Sequence, residues 1–395
     1  MISPVMPVYR RSPLAFERGE GVYLYDDKGE EYLDFVAGIA VSAFGHAHPH
    51  LVNALKAQSE KLWHTSNLFR IPGQEVLAQK LVDASFADTV FFTNSGAESI
   101  ECAVKMARRY HHGEGNPDRY RIITFRQAFH GRTMTGISAT NQEKLRDGFG
   151  PLPDWFDVVP FGDLDAVEEA LCSESAAFMV EPVQGEGGVS AAPQGFLQAL
   201  REIADAKDML LIFDEIQCGM GRTGKFFAHE HDGVLPDIVA SAKGIGGGFP
   251  LGACLANERA AKHMTAGAHG STYGGNPLAM AVGNAAMDIL LADGFLDRVA
   301  AMGEKLEAML KELITEFPQA FEEVRGRGLM RGLKLNFPVA DMVAVCRDQK
   351  LLTAPAAGDV LRLLPPLIIE ETHIAQAKEK LRAAAKAMMT QHQLG

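Results

Sequence analysis

LLIFDEIQCGMGRTG, residues 210–224, and SAKGIGGGFPLGA, residues 241–253, are the stretches that decide the fold. Met209 to Phe213 is short, apolar and closed by Asp214-Glu215, the pattern of a strand buried on both faces of a parallel sheet. Open α/β sheets bind their ligands outside the carboxyl ends of the strands, which is where these two acids fall. A second strand-like run, Ile238 to Ala242, leads into Lys243 and then into a glycine-rich loop, where backbone and ligand can approach closely. A lysine in a dry pocket or beside another cation is neutral part of the time, the condition for bonding to a carbonyl. Taken alone, a strand-end lysine and aspartate more often form a structural ion pair.

The surrounding chain supports an α/β class. From about residue 50 to 255, helical periods alternate with β-branched runs, as in a largely parallel sheet flanked by helices. Strands are expected at Thr89 to Thr93, Arg121 to Phe125 and Ala177 to Val180, with helices from Ala97 to about Tyr110 and near Gly195 to Ala206. Helical stretches at Pro277 to Leu291 and Leu296 to Glu316 precede a smaller α+β segment from Val324 onward. The expected division is a large domain over residues 51–295 and a small domain over 296–395, joined by an N-terminal segment, 1–50.

The 395 residues carry a net charge of -12 with no run of like charges, which argues against a nucleic-acid surface or a polybasic membrane anchor. Five scattered cysteines, none in a CxxC pair, fit a reducing cytoplasm better than a disulfide framework or a zinc ribbon. Met1 to Pro13 has no apolar core of signal-peptide type and no segment holds eighteen apolar residues in a row, so a soluble, unexported chain is expected. Small-molecule substrates and further copies of the chain are the expected partners.

Asn94-Ser95-Gly96-Ala97-Glu98 lies between an expected strand and helix. Free amides at a helix start, with the Ser95 hydroxyl, can cradle a phosphate. The same residues also read as an N-cap completed by Glu98 in a capping box, and both can hold together. Gly219 to Lys225 fits GxxxxGK, but Phe226 supplies no hydroxyl for a metal and the acid-ended strand directly precedes the loop, unlike a P-loop hydrolase. His46, His48 and His50 alternate, yet Pro49 and Gly45 favour a loop over a zinc-binding strand. No metal is expected. Gly244 to Gly248 lacks the spacing of a dinucleotide fingerprint.

Taken together, FFTNSGAE (91–98), FHGRT (129–133), EPVQGEGG (181–188), the Asp214 and Lys243 stretches and GSTYGGNP (270–277) resemble the class III, or ω-amino acid, aminotransferases of pyridoxal 5'-phosphate (PLP) fold type I. The resemblance runs almost end to end. GIAV (38–41), LWHTSNLF (62–69) and VLRLLPP (360–366) are similar to the group whose donor is N2-acetyl-L-ornithine and whose acceptor is 2-oxoglutarate, giving glutamate in arginine synthesis. The resemblance implies that Lys243 bonds to the cofactor aldehyde and that Asp214 keeps the pyridine nitrogen protonated, making the ring an electron sink. It further implies that Ser95, Gly96 and Ala97 bind the phosphate, that Thr272 reaches it from a partner subunit of a homodimer with shared sites, that Phe129 stacks on the ring, and that Gln217 lies near the phenolic oxygen. Arg132 is matched to the donor carboxylate, Arg362 to the α-carboxylate of glutamate or 2-oxoglutarate, and Ser271 to substrate. A guanidinium grips a carboxylate with two parallel hydrogen bonds and stays charged in a dry site. Glu186 matches the carboxylate that pairs with Arg362 when an ω-amine is bound. On residue type alone, Arg132 and Glu186 read as surface charges and Phe129 as core. Ornithine-specific relatives carry a tyrosine where Ile39 stands, so an acylated amine is the expected donor; succinylornithine, N-succinyl-diaminopimelate and 4-aminobutyrate are the alternatives.

Overall fold

The computed structural model describes residues 3–392. At its centre is a seven-stranded sheet in the order Thr89–Thr93, Gly252–Ala256, Ile238–Ser241, Leu210–Asp214, Ser175–Val180, Arg121–Phe125, Phe156–Val159. Six strands run the same way; Gly252–Ala256 is antiparallel to both of its neighbours. The α/β expectation holds, with the sheet mostly parallel. The reversed strand was not foreseen, because its five residues GACLA read as the tail of the glycine-rich loop. Gly252 explains its fit: a Cβ there would stand 2.4 Å from Thr93 Oγ1 and 2.8 Å from Ser99 Oγ.

Alternate side chains along a strand point to opposite faces, and both faces here are covered. Leu210 and Ile212 pack with Ile100, Ala103 and Ala107 of the helix Gly96–Gly113, whereas Leu211 and Phe213 pack with Leu197, Leu200 and Ala204 of the helix Phe196–Ala206. This two-sided burial is why the strands read as continuous apolar runs. The expected strand at Ala177 begins at Ser175, and the expected helix at Ala97 spans Gly96–Gly113, shifts within the usual fraying of element ends. Helices Pro277–Leu290 and Phe295–Glu316 match their expected positions.

Two four-stranded sheets lie outside the central one. Phe16–Glu20, Tyr23–Asp26 and Glu31–Asp34 pair in sequence, and the last pairs in parallel with Leu351–Leu352, tying the N-terminal segment to the C-terminal part of the chain. The second sheet, Phe321–Arg327, Met330–Leu335, Val360–Leu363 and Ala354–Ala356, carries Arg362 on a wholly buried strand. Among the described residues no single helix is long and apolar enough to cross a membrane.

After Asp34 the backbone takes a left-handed turn: Ala37, Gly38, Ile39 and Ala40 all have positive φ, between 48° and 65°. Each L-residue held there costs about 1–2 kcal/mol, so the turn needs support from its surroundings. Buried Asp34 supplies it. Its Oδ1 accepts from the amides of Val36 and Ala37, both at 2.9 Å, and its Oδ2 lies 2.8 Å from His46 Nε2. Asp34→Ala should therefore lower unfolding stability by about 2–4 kcal/mol, since three partners lose their acceptor at once. Chemical denaturation measures this, and a loss under about 0.5 kcal/mol would contradict the support assigned to Asp34.

Candidate active site

Three parallel strands end along one edge of the sheet. Val180 pairs with Phe213, and Asp214 pairs with Ala240, so Glu181, Asp214 and the Lys243 segment emerge side by side. They line a cavity of about 430 Å³ together with Ser95, Gly96, Ala97, Phe129, Arg132 and Gln217. Lys243 opens a one-turn 3-10 helix, Lys243–Gly246, with a left-handed backbone (φ 49°). Burial pushes its amine down to about 8, aided by the charge of Arg362 and opposed by Glu186, Asp214 and Glu181. A lysine so placed is a usable nucleophile and proton carrier near neutral pH.

Asp214 is buried, with Oδ1 accepting from the Ile216 amide at 3.1 Å and Oδ2 lying 2.8 Å from His130 Nδ1. Neither His130 nor Glu181 was singled out from sequence. Yet Glu181 directly follows the fully buried strand Ser175–Val180, the same pattern of an acid closing an apolar run that marked Asp214.

The phosphate-cradle residues sit as expected at a helix start. Ser95 caps Gly96–Gly113, its Oγ accepting from the Glu98 amide at 3.3 Å. Glu98 completes the cap one residue earlier than a capping box requires: its carboxylate accepts from the Asn94 amide at 2.6 Å instead of from that of Ser95. The first-turn amides of Gly96 and Ala97 have no partner within the helix. Gly96 also permits a close approach, since a Cβ there would stand 2.8 Å from Ile216 Cδ1. Phe129 is half-buried with its ring on the cavity, and the exposed Arg132 guanidinium lies 5.8 Å from its centre.

Arg362 makes the tightest charged contacts of the region. Its Nη1 is 2.5 Å from Glu186 Oε1 and 3.0 Å from Gln217 Oε1, and its Nη2 donates to the Pro355 carbonyl at 3.3 Å. Its side chain is 2% exposed and that of Glu186 31%, so the carboxylate is the partner free to turn away. Gln217 thus joins the cavity that holds Lys243 to the buried arginine, a link not visible in the sequence.

Ser271 and Thr272 do not line this cavity. They border a separate one of about 360 Å³ with Asn94 and Glu98, and Thr272 is exposed. Asn67 Nδ2 donates to the carbonyls of Ser271 and Gly274, and His64 lies 5.3 Å from Tyr273 between ring centres, which joins this loop to the exposed Trp63, Leu68 and Phe69.

The competing motifs lead elsewhere. Gly219–Lys225 precedes no α-helix: buried Arg222 donates to the carbonyls of Leu329 and Pro365, and Lys225 is exposed. His46 pairs with Asp34, His48 caps the helix Pro49–Ser59 and His50 contacts Asp288, three separate structural tasks.

Unpaired helix-start amides, an aromatic face, a buried carboxylate and a part-neutral lysine around one cavity are the donor set that pyridoxal 5'-phosphate requires. The Aminotransferase class-III family model matches residues 5–385, and the chain belongs to the class III aminotransferases. An acetylornithine aminotransferase of Agrobacterium fabrum (strain C58) is 55% identical over 98% of this chain and 97% of its own. Among solved structures, N-acetylornithine aminotransferase from Stenotrophomonas maltophilia K279a is 41% identical with a TM-score of 0.85, covering 97% of this chain and 98% of its own. The ornithine aminotransferase from Toxoplasma gondii ME49 has a TM-score of 0.94 at 34% identity, over 98% of this chain and 94% of its own.

A lysine lowered to about 8 sets a pH dependence. Only the neutral amine attacks an aldehyde, so the rate at which apoprotein captures pyridoxal phosphate should rise with pH and level off above about 8. Stopped-flow absorbance measures it, with Lys243→Ala as the variant expected to show no covalent capture at any pH.

Proposed function

We propose that this chain transfers the terminal amino group of N2-acetyl-L-ornithine to 2-oxoglutarate, giving N-acetylglutamate semialdehyde and glutamate, with pyridoxal 5'-phosphate as cofactor. The observation that carries this is the buried Arg362 closed by Glu186 in contact with the Lys243 cavity through Gln217. The identity with acetylornithine aminotransferases over nearly the whole chain supports it.

Bound in this cavity, the cofactor supplies an aldehyde for the amine and a ring that takes up the electron pair left on the donor carbon. Ser95, Gly96 and Ala97 hold its phosphate through hydroxyl and amides, completed by Thr272 of the partner subunit. Phe129 would cover one ring face, and the buried Asp214, whose Oδ1 accepts from the Ile216 amide, would hold the ring nitrogen protonated. Lys243 Nζ would take the proton from the amine-bearing carbon of the donor and serve as the proton carrier of the site.

The two substrates end differently, and the arginines divide the work. Arg132 binds the donor's carboxylate at the cavity mouth. While the donor is bound, Glu186 neutralises Arg362, so the donor's reacting end, which carries no carboxylate, does not face an unpaired buried charge. When 2-oxoglutarate arrives, its α-carboxylate takes Arg362 and Glu186 swings to solvent, which its partial exposure permits. A homodimer sharing its sites accounts for the position of Thr272 outside its own chain's cavity and for the exposed apolar residues beside it.

Two measurements test this. Steady-state kcat/KM for N2-acetyl-L-ornithine should exceed that for ornithine by about tenfold or more, a difference of about 1.4 kcal/mol or more in transition-state binding; a clear preference for free ornithine would overturn the donor assignment. Glu186→Ala should lower KM for 2-oxoglutarate several-fold and raise it for the donor, because Arg362 then stays open to dicarboxylates. Equal changes in both would argue against the exchange.

A further inference from the structure

Beneath the position where the ring nitrogen is held lies a buried group of three ionisable residues that the mechanism above uses only in part. Asp214 and Glu181 stand at the ends of adjacent parallel strands, and His130 comes from the loop after Arg121–Phe125. His130 is enclosed, its Nδ1 bonded to Asp214 and its Nε2 buried without a partner. Glu181 is equally enclosed, and its two oxygens go to different loops: Oε1 accepts from the Phe129 amide at 2.9 Å and Oε2 from the Gly185 amide at 3.3 Å. It therefore ties the segment bearing the stacking ring to the segment bearing Glu186.

We propose that Glu181 is a positioning residue for the amino-transfer reaction, fixing these two walls and, by trading one proton with His130, holding the charge presented to the ring nitrogen at a single negative unit. The charge count supports it. With Asp214 ionised, the group carries one net negative charge whether the proton sits on His130, leaving Glu181 ionised, or on Glu181, leaving His130 neutral. The surroundings make both arrangements accessible. Burial, reinforced by the Asp214 charge, pushes Glu181 up to about 7 against the pull of His130 and the two amides. Burial opposes a charge on His130, but its bond to Asp214 and the charges of Asp214 and Glu181 outweigh this and raise its pKa above the ordinary value. The other ionisable groups that feel Glu181 are Lys243 and Cys218, and Lys243 in turn feels Arg362 and Glu186. None of these shares a hydrogen bond with the Glu181 carboxylate among the described residues. This role rests on the proposed cofactor site but not on the identity of the amino donor.

The test uses holoenzyme and follows the pH midpoint of the visible absorption of the bound cofactor, together with kcat. Gln at 181 keeps an acceptor for the Phe129 amide and removes the charge. His130 alone then decides the charge, and its protonated form cancels Asp214. Cationic forms at the site lose support, so Glu181→Gln should move the midpoint down by about one pH unit and lower kcat more than either KM. In a His130→Gln background Glu181 is already neutral, and adding Glu181→Gln should leave the midpoint unmoved. An unshifted midpoint in the single variant, or the same shift in both backgrounds, overturns the proposal. If Glu181→Gln does not retain cofactor, His130→Gln decides alone: a midpoint within about 0.3 units of the parent supports proton trading, and a larger shift refutes it. A parent holoenzyme that shows the cofactor band but transfers no amino group to any acceptor would instead count against the proposed function.

Discussion

Parallel pairing of three buried strands is the constraint on which the rest of this molecule depends. Because Ser175–Val180, Leu210–Asp214 and Ile238–Ser241 run the same way and are matched residue by residue, the chain segments that leave them must emerge at one edge. Water is excluded there by helices packed on both faces. Whatever ionisable groups the sequence places at those exits are forced into one poorly solvated region, where each charge is intelligible only through its neighbours. Two carboxylates, a lysine, an imidazole and, across the cavity, a second buried cation share that region, where burial and the charge of Arg362 hold Lys243 partly neutral against the pull of the carboxylates.

The same crowding explains why the site can serve substrates of different end-group character. Arg362 lies on a buried strand of a separate sheet and cannot withdraw to water, so it must always be paired. Glu186, on a loop and partly exposed, can leave. The two partners thus differ in exposure, 2% against 31%. Gln217 bridges this pair to the residues around Lys243, so the specificity element and the chemical element share a hydrogen-bond network.

Strain is concentrated at the margins of this region. The left-handed turn at Ala37–Ala40 and the left-handed backbone of Lys243 are conformations that L-residues resist, and the turn is held by the bonds from Asp34. The reversed strand Gly252–Ala256 also depends on a glycine whose neighbours leave no room for a side chain.

Much of this was legible in the residues themselves. Short apolar or β-branched runs announced the strands Thr89–Thr93, Arg121–Phe125 and Leu210–Asp214, the last closed by acids, because burial on both faces removes the need for polar positions. Lys243, Asp214, Ser95, Gly96 and Ala97 stood out because their chemistry is tied to local features, a strand end or a helix start, that a sequence reveals. The antiparallel direction of Gly252–Ala256 was not, since five small and apolar residues specify a strand's burial but not its orientation. Nor were the bonds from Glu181 to two separate loops, the His130–Asp214 contact, the link from Gln217 to Arg362, or the absence of Ser271 and Thr272 from the cavity of their own chain. Local pattern determines which elements form and which residues end them. Which of those ends meet, and in what protonation state, depends on contacts between residues far apart in the chain, and only the folded structure decides that.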